Sequence, residues 1–349
     1  MIQRNGMIDF MRFIFSIVIV LHHASLFRGT MLAGYIGVEF FFIVSGWLLM
    51  ERVQKKEKEN SQINFLYETY RKIKGFYAEF FIATLTAVVV LNYFGISQQW
   101  TAQLLGTFND LLLLQMFGFF CSSNIGVLWY LSVMVASYHL LFYLVYTYKQ
   151  QFIQVFIPVI ILVVYGGMSY KFHTLSALLS PTLDGFLLCG MLRGFAGMSF
   201  GIILHEGSEK ISGINFSDLG IKILGIIELS CYIFAIYIAV LIKVFSDYDF
   251  LMMGLIAIAI MITFSKVTFL YKYFSSNICN KLGKLSLNIF LNHYFIAVII
   301  ANKFSECAIS KKMLYYFMGI GICTIFNYCV GSILRRNFNC VKSLLVIGK

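Results

Sequence analysis

Four ionisable side chains stand well inside two apolar stretches near the start of the chain, away from their ends. Arg12, His22 and His23 lie in MIDFMRFIFSIVIVLHHASLFRG, residues 7–29, and Glu39 lies in GYIGVEFFFIVSGWLLM, residues 34–50. Ionisable groups at membrane depth are costly and mark functional sites by default. Arg12 and His23 are eleven residues apart. On a helix that step is about 20° short of or beyond whole turns and rises roughly 16 Å, so the two side chains share a face and stack along the helix axis. His22 points about 100° away from them. A turn near Met31 would fold the two stretches into a hairpin and bring Glu39 to the depth of His23. A carboxylate beside an imidazole is the arrangement a general base uses. Arg12 alone could snorkel, His23 alone could sit at an interface, and Glu39 alone could cap a turn. The three on one hairpin favour chemistry.

The elements that must hold these groups are transmembrane helices. The chain has 349 residues, 60% of them hydrophobic and 12% charged, with a mean hydropathy of +0.82. That balance excludes a soluble globular enzyme and predicts an all-α, polytopic membrane helix bundle. No polar block is long enough for a separate soluble unit, so residues 1–349 form a single integral membrane domain. Apolar runs predict about ten spans, near 8–28, 35–50, 75–94, 126–147, 152–168, 185–204, 219–242, 250–265, 285–304 and 313–334. Residues 101–119, which carry Asn109 and Asp110, predict a short re-entrant or interfacial helix. Pro158 predicts a kink in the fifth span.

The formal charge of +11 points to basic loops at a cytoplasmic face, with no nucleic-acid partner. Residues 51–74 hold seven Lys/Arg, the densest basic block. By the positive-inside rule that block is cytoplasmic, and both termini are too. SDYD at 246–249 predicts an acidic outer turn. Cys189, Cys231, Cys323 and Cys329 lie in apolar runs and predict small buried hydrophobes, with no disulfide and no metal site. There is no HExxH, no Walker loop and no serine–histidine–aspartate order of the soluble hydrolases.

Further residues could carry chemistry. TYRKIKGFY at 69–77 places Arg71, Lys72 and Lys74 where a helix enters the membrane, as phosphate ligands or as topological anchors. Trp129 in GVLWYLSVM is either an interfacial aromatic or part of a site. Arg193 precedes Gly194, Gly197 and Gly201 in MLRGFAGMSFGIIL, where the GxxxG step permits close helix contact. His293 in LGKLSLNIFLNHYF either lines a cavity or bonds a neighbouring helix. His139 is expected to be a satisfied bundle histidine.

These stretches, in this order, resemble the bacterial membrane acyltransferase-3 family. The resemblance is carried by the Arg12–His23 spacing with GVEFFFIVSGWLL, an RxxR-like Arg71–Lys74 pair, the WxLS-like WYLS, the arginine before a glycine-rich helix, and a late LGxxSLxIYLxH pattern. Lys74 stands in place of the second arginine and Phe290 in place of the usual tyrosine. The resemblance implies an integral membrane O-acyltransferase in the bacterial cytoplasmic membrane, without the hydrolase-like domain that some members append. It implies acetyl-CoA as donor and a cell-surface or lipid-linked polysaccharide as acceptor. On this reading Arg71, Lys74 and Arg12 bind the acyl-CoA phosphates, His23 is the base or the acyl carrier, and Glu39 orients it. Arg193, Trp129 and His293 are cavity-lining candidates. The alternative is a membrane transporter or flippase for an amino acid or glycan precursor, because intramembrane charges also mark substrate paths.

Overall fold

Caps written in the sequence start several of the helices. In the computed structural model, which describes residues 4–59, 63–96, 99–117, 123–177, 181–182, 187–241 and 245–347, the Asn5 side chain accepts from the backbone N–H groups of Met7 and Ile8 and so opens α1, Gly6–His23. Its amide also donates to the Thr263 carbonyl at 3.0 Å, tying that end of α1 to the bundle. α1 stops at Ala24, continues as the single turn α2, Ser25–Arg28, and ends at Gly29 with φ +75°. A 3₁₀ turn, Gly34–Ile36, then leads into α3, Gly37–Lys58. The predicted hairpin is present, and α3 carries on as helix through the basic block to Lys58.

Among the described residues, the other regular elements are helices apart from one two-residue antiparallel pairing, Pro181–Thr182 with Leu187–Leu188. α4 (Phe65–Lys74) and α5 (Tyr77–Tyr93) meet at a 53° bend. α6, Trp100–Leu111, is the short helix expected there. α7 (Trp129–Gln151) and α8 (Ile157–Phe172) follow, then α9 (Cys189–Ser212), α10 (Asp218–Leu241), α11 (Tyr248–Ser265), α12 (Phe269–Tyr273), α13 (Asn277–Lys303) and α14 (Ile309–Ile347). The break between α7 and α8 lies upstream of the proline expected to cause it. Tyr148 leaves helical geometry (φ −123°, ψ 30°), and a π turn spans Phe152–Phe156. Pro158 then falls in the first turn of α8, where its missing N–H does little harm.

Among the described residues, six helices are long and apolar enough to cross a membrane, or seven if the bent α4–α5 pair is one span. This is fewer than the ten read from the apolar runs. Residues 129–172 count once as a continuous 44-residue stretch. α3, with Glu39 and its basic end, and α9, with Arg193, His205 and Glu206, are too polar to qualify on composition. Apolar side chains such as Leu162 (72% exposed) and Ile322 (65%) face outward, as a lipid-contacting surface requires.

Two apolar cores lie on either side of α1 and α3. One gathers Phe80, Phe142 and Phe295, and the other Tyr232, Ile256 and Ile260. α1 gives Val20 to the first core and Phe15 to the second, while α3 gives Phe42 to the first and Phe40 to the second. The hairpin that carries the candidate residues is therefore the partition of the bundle. α3 lies against α9 at glycine-mediated contacts. A Cβ on Gly46 would overlap the Met198 carbonyl, and one on Gly201 would overlap the Ile43 carbonyl. Backbone cannot yield as a side-chain tip can, so Gly46→Ala and Gly201→Ala are each expected to cost about 1–3 kcal/mol of stability. Gly254, with nothing near its Cβ position, should accept alanine. Thermal denaturation in detergent, with Gly254→Ala as control, checks this.

Candidate active site

α1 and α13 run side by side in the same direction. Gly283 of α13 lies against Asp9 near the start of α1, and His293 meets His23 at the far end, their ring centroids 4.8 Å apart. The hydrogen bonds of this pair fix its tautomers. His293 Nδ1 lies 2.7 Å from the Phe290 carbonyl oxygen, so that nitrogen carries the proton and Nε2 carries the lone pair. His23 Nδ1 faces two acceptors, the Ile19 carbonyl at 3.1 Å and His293 Nε2 at 3.1 Å, so it too is protonated. The lone pair of His23 is left on Nε2. His293 is fully buried, whereas His23 is half-buried. His22 is turned away from His293, with Nδ1 on the Leu32 carbonyl.

Glu39 does not orient His23. Its carboxylate accepts from Arg193 Nε and, at 2.9 Å, from the Tyr165 hydroxyl. Arg193 Nη2 donates to the Tyr35 carbonyl at 3.1 Å, and its guanidinium carbon lies 5.6 Å from the Trp129 ring centroid. The reason is the close approach of α3 to α9. Glu39 faces Gly197 of α9, where any side chain would meet its oxygen, and so points away from the α1 face that bears His23. The third group beside the His23 imidazole is His293. Arg193, expected at a cavity, is the buried partner of Glu39, and Trp129, also expected there, is half-buried with its ring against Arg193.

Two cavities open among the basic residues at the other end of the bundle. The first, about 570 Å³, is lined by the cations Arg4, Arg12, Lys72, Lys284 and Arg335. Phe41, Tyr130 and Phe290 line it too. Phe290 and Tyr130 meet edge to face, 5.7 Å between centroids, and the Phe290 ring is 5.8 Å from that of His293. The cavity thus stops one aromatic layer short of the histidine pair. The second, about 600 Å³, shares Arg4 and Arg12 with the first. Both arginines pair with Asp9, Arg12 at 3.3 Å.

Of the predicted phosphate ligands, Arg12 lines both cavities. Arg71 and Lys74 line neither. Arg71 is 46% exposed at its side chain and pairs with Glu68 at 3.3 Å, and Lys74 is exposed. Helical spacing turns Lys72, between them, inward instead. Arg4, Lys284 and Arg335 escaped notice because each lies outside an apolar run, where a cation reads as an anchor. His139 is satisfied as expected, with Nδ1 2.8 Å from the Thr69 hydroxyl. Asp249 is not in an exposed acidic turn. It is fully buried and accepts from the Tyr35 hydroxyl at 2.8 Å, the Thr174 hydroxyl at 2.6 Å and the Leu175 N–H at 2.8 Å. Cys189 and Cys231 are buried, but Cys329 is exposed, on an outward face of α14.

A helical bundle with an outward apolar belt, a basic cavity at one end and a histidine pair toward the other is a multi-pass membrane protein built around an internal site. The acyltransferase-3 family model, described as an acyltransferase domain, matches residues 5–334. The chain belongs to that family, and it is a membrane acyltransferase. No curated protein and no solved structure matches it significantly.

Two expectations follow from the geometry. Removing one partner of a buried ion pair leaves the other uncompensated, at about 3–5 kcal/mol. Glu39→Ala should therefore lose folded protein, and the double variant Glu39→Ala/Arg193→Met should regain it. A Glu39→Ala protein with the wild-type melting temperature would contradict the structural role. For the histidines, ¹⁵N NMR of histidine-labelled protein should show the His23 lone pair on Nε2. In His293→Ala that preference should weaken, with the Ile19 carbonyl left as the remaining acceptor.

Proposed function

We propose that the protein transfers an acetyl group from acetyl-CoA to a hydroxyl of a cell-surface or lipid-linked polysaccharide. The observation that carries this reading is the alignment of the basic cavity with the histidine pair. Cations line the cavity together with Phe41, Tyr130 and Phe290, and past the Phe290 ring stand His293 and then His23, with the lone pair of His23 left on Nε2. A coenzyme A thioester has the matching order: phosphates, a long narrow arm, and the reactive carbonyl at its tip.

His23 Nε2 accepts the proton of the acceptor hydroxyl as the oxygen attacks the thioester carbonyl. The resulting imidazolium keeps its Nδ1–H on His293 Nε2 and the Ile19 carbonyl, which stabilises the charge as it forms. Collapse of the tetrahedral intermediate breaks the carbon–sulfur bond. The departing thiolate takes the proton back from Nε2, leaving CoA thiol and an ester. The diphosphate lies on Arg12, with Lys72 and Lys284 beside it in the same cavity, and Arg71 and Lys74 contribute only to the positive field at the mouth.

In the membrane we assign ten crossings, with both ends of the chain and the basic cavity cytoplasmic. Residues 129–172 are too long for one crossing, since 44 residues of helix would run about 66 Å against a hydrocarbon core of about 30 Å. The break at Tyr148 and the π turn divide them into two. α3 and α9 count as spans because their polar groups are paired inside the bundle. With the basic block after α3 cytoplasmic, the positive-inside rule then sets the orientation.

His23→Ala should lower acetyl transfer by about 10²-fold or more while the melting temperature stays near wild type. Release of CoA thiol from acetyl-CoA by purified protein, with an acceptor glycan present, is the measurement. A transporter would release none, and wild-type turnover in His23→Ala would remove the base from the mechanism.

A further inference from the structure

The second basic cavity has no part in the transfer described above, yet it is built from the same two arginines. It lies between α1, α3 and the end of α11, with Arg4 and Arg12 as its shared wall and Lys55, Lys58 and Lys266 around its rim. Two carboxylates, Asp9 and Glu51, also line it. Asp9 is occupied by Arg4 and Arg12, and Glu51 by His205 Nε2 at 3.2 Å. The lysines thus dominate what a ligand would meet. Lys55 leans toward Glu59 at 3.9 Å, while Lys58 and Lys266 share the field of Glu51 but make no ion pair within 4 Å among the described residues. The floor is apolar, formed by Leu48 and by Trp47 stacked on Phe264 at 3.6 Å between centroids. Trp47 is pinned behind by its Nε1 donation to the Ser208 hydroxyl at 2.9 Å.

An apolar floor under a cationic rim fits a flat heterocycle or acyl edge joined to a phosphate. Chain geometry selects between the two cavities for the parts of one ligand. Only the first cavity leads toward His293, so the thioester arm must lie there. The arm's diphosphate then falls at the mouth, where Arg4 and Arg12 stand between the cavities. Whatever lies beyond the diphosphate continues into the second.

We propose that the second cavity is the subsite for the 3′-phosphorylated adenosine of the donor, with the 3′-phosphate on Lys58 and Lys266 and the diphosphate on Arg4 and Arg12. This deepens the acyl-CoA reading and rests on it. A phospholipid headgroup offers the same phosphate chemistry to the same lysines, so the test separates the two sources. It uses CoA and dephospho-CoA, which differ only in the 3′-phosphate.

Binding of each is measured by calorimetry on the full chain in nanodiscs of phosphatidylcholine, then of phosphatidylcholine with phosphatidylglycerol. Wild type should prefer CoA by about tenfold, as one charge-assisted phosphate contact would give. Lys58→Ala/Lys266→Ala should bring that ratio close to one by weakening CoA alone. Lys284→Ala, in the first cavity, should weaken both ligands alike. A double variant that keeps the wild-type ratio, or loses both ligands equally, would overturn the subsite. A ratio unchanged by the lysines, with CoA binding that falls only when anionic lipid is added to wild type, would assign the cavity to a lipid headgroup instead. Failure of wild type to bind either ligand would reject the acyl-CoA reading itself.

Discussion

Two imidazoles that face each other cannot both donate, and in this protein a backbone carbonyl decides which one does. The Phe290 oxygen takes the Nδ1 proton of His293, so the His293 Nε2 lone pair must face His23. From there the order is forced: His23 donates at Nδ1 and keeps its base at Nε2. A carboxylate in the same place would hold a charge at low dielectric and need its own counter-ion. A neutral histidine supplies orientation without that cost, and it acquires a stabilising role only when His23 becomes charged. The helical backbone of α13 thus sets the tautomers of the pair, because its carbonyl direction decides where the His293 proton lies.

The charges that do lie deep in the bundle serve a different purpose. Glu39 and Arg193 are wholly buried, with Tyr165, the Tyr35 carbonyl and the Trp129 face completing their shell. They connect α3, α7, α8, α9 and the turn before α3. The glycines of α9 allow that convergence, since Gly197 leaves room for the Glu39 oxygen and Gly201 for the backbone of α3. α3 also forms one wall of the first cavity through Phe41, Val44 and Ser45. The ion pair therefore sets the width of the space in which a donor would lie, without touching it.

Much of this was legible from residue types and spacing, for a physical reason. Apolar runs and basic blocks report the bilayer directly, so the helices, the hairpin and the basic end could be placed. The Arg12–His23 alignment follows from an uninterrupted helix, and α1 is uninterrupted over that span. Partner choice was not legible. Glu39 and His23 are equidistant from the turn along the chain, but which face of α3 meets α1 is decided by glycine contacts with a helix some 150 residues later. The same limit hid which side chain His293 would meet, since its partner His23 is 270 residues away in sequence. Asp249 was misplaced because an acidic turn reads as solvated, whereas Tyr35, Thr174 and Leu175 bury it. At 71–74 the spacing of a familiar pair pointed to Arg71 and Lys74, while the helix turned the intervening Lys72 inward.

Phe290 joins these two levels in a single residue. Its carbonyl fixes the tautomer of His293, and its ring, with that of Tyr130, closes the end of the first cavity. On the proposed reading, a thioester that reaches His23 must pass this aromatic layer. The tautomer of His293 is set by the Phe290 carbonyl, which is held in the helix, and not by its ring. The base proposed at His23 therefore keeps its tautomer wherever the ring lies, while the aromatic layer separates a thioester in the first cavity from His23, toward the far end of the bundle. In a membrane acyltransferase that is a useful separation, since an activated thioester left in contact with a base and water would be hydrolysed.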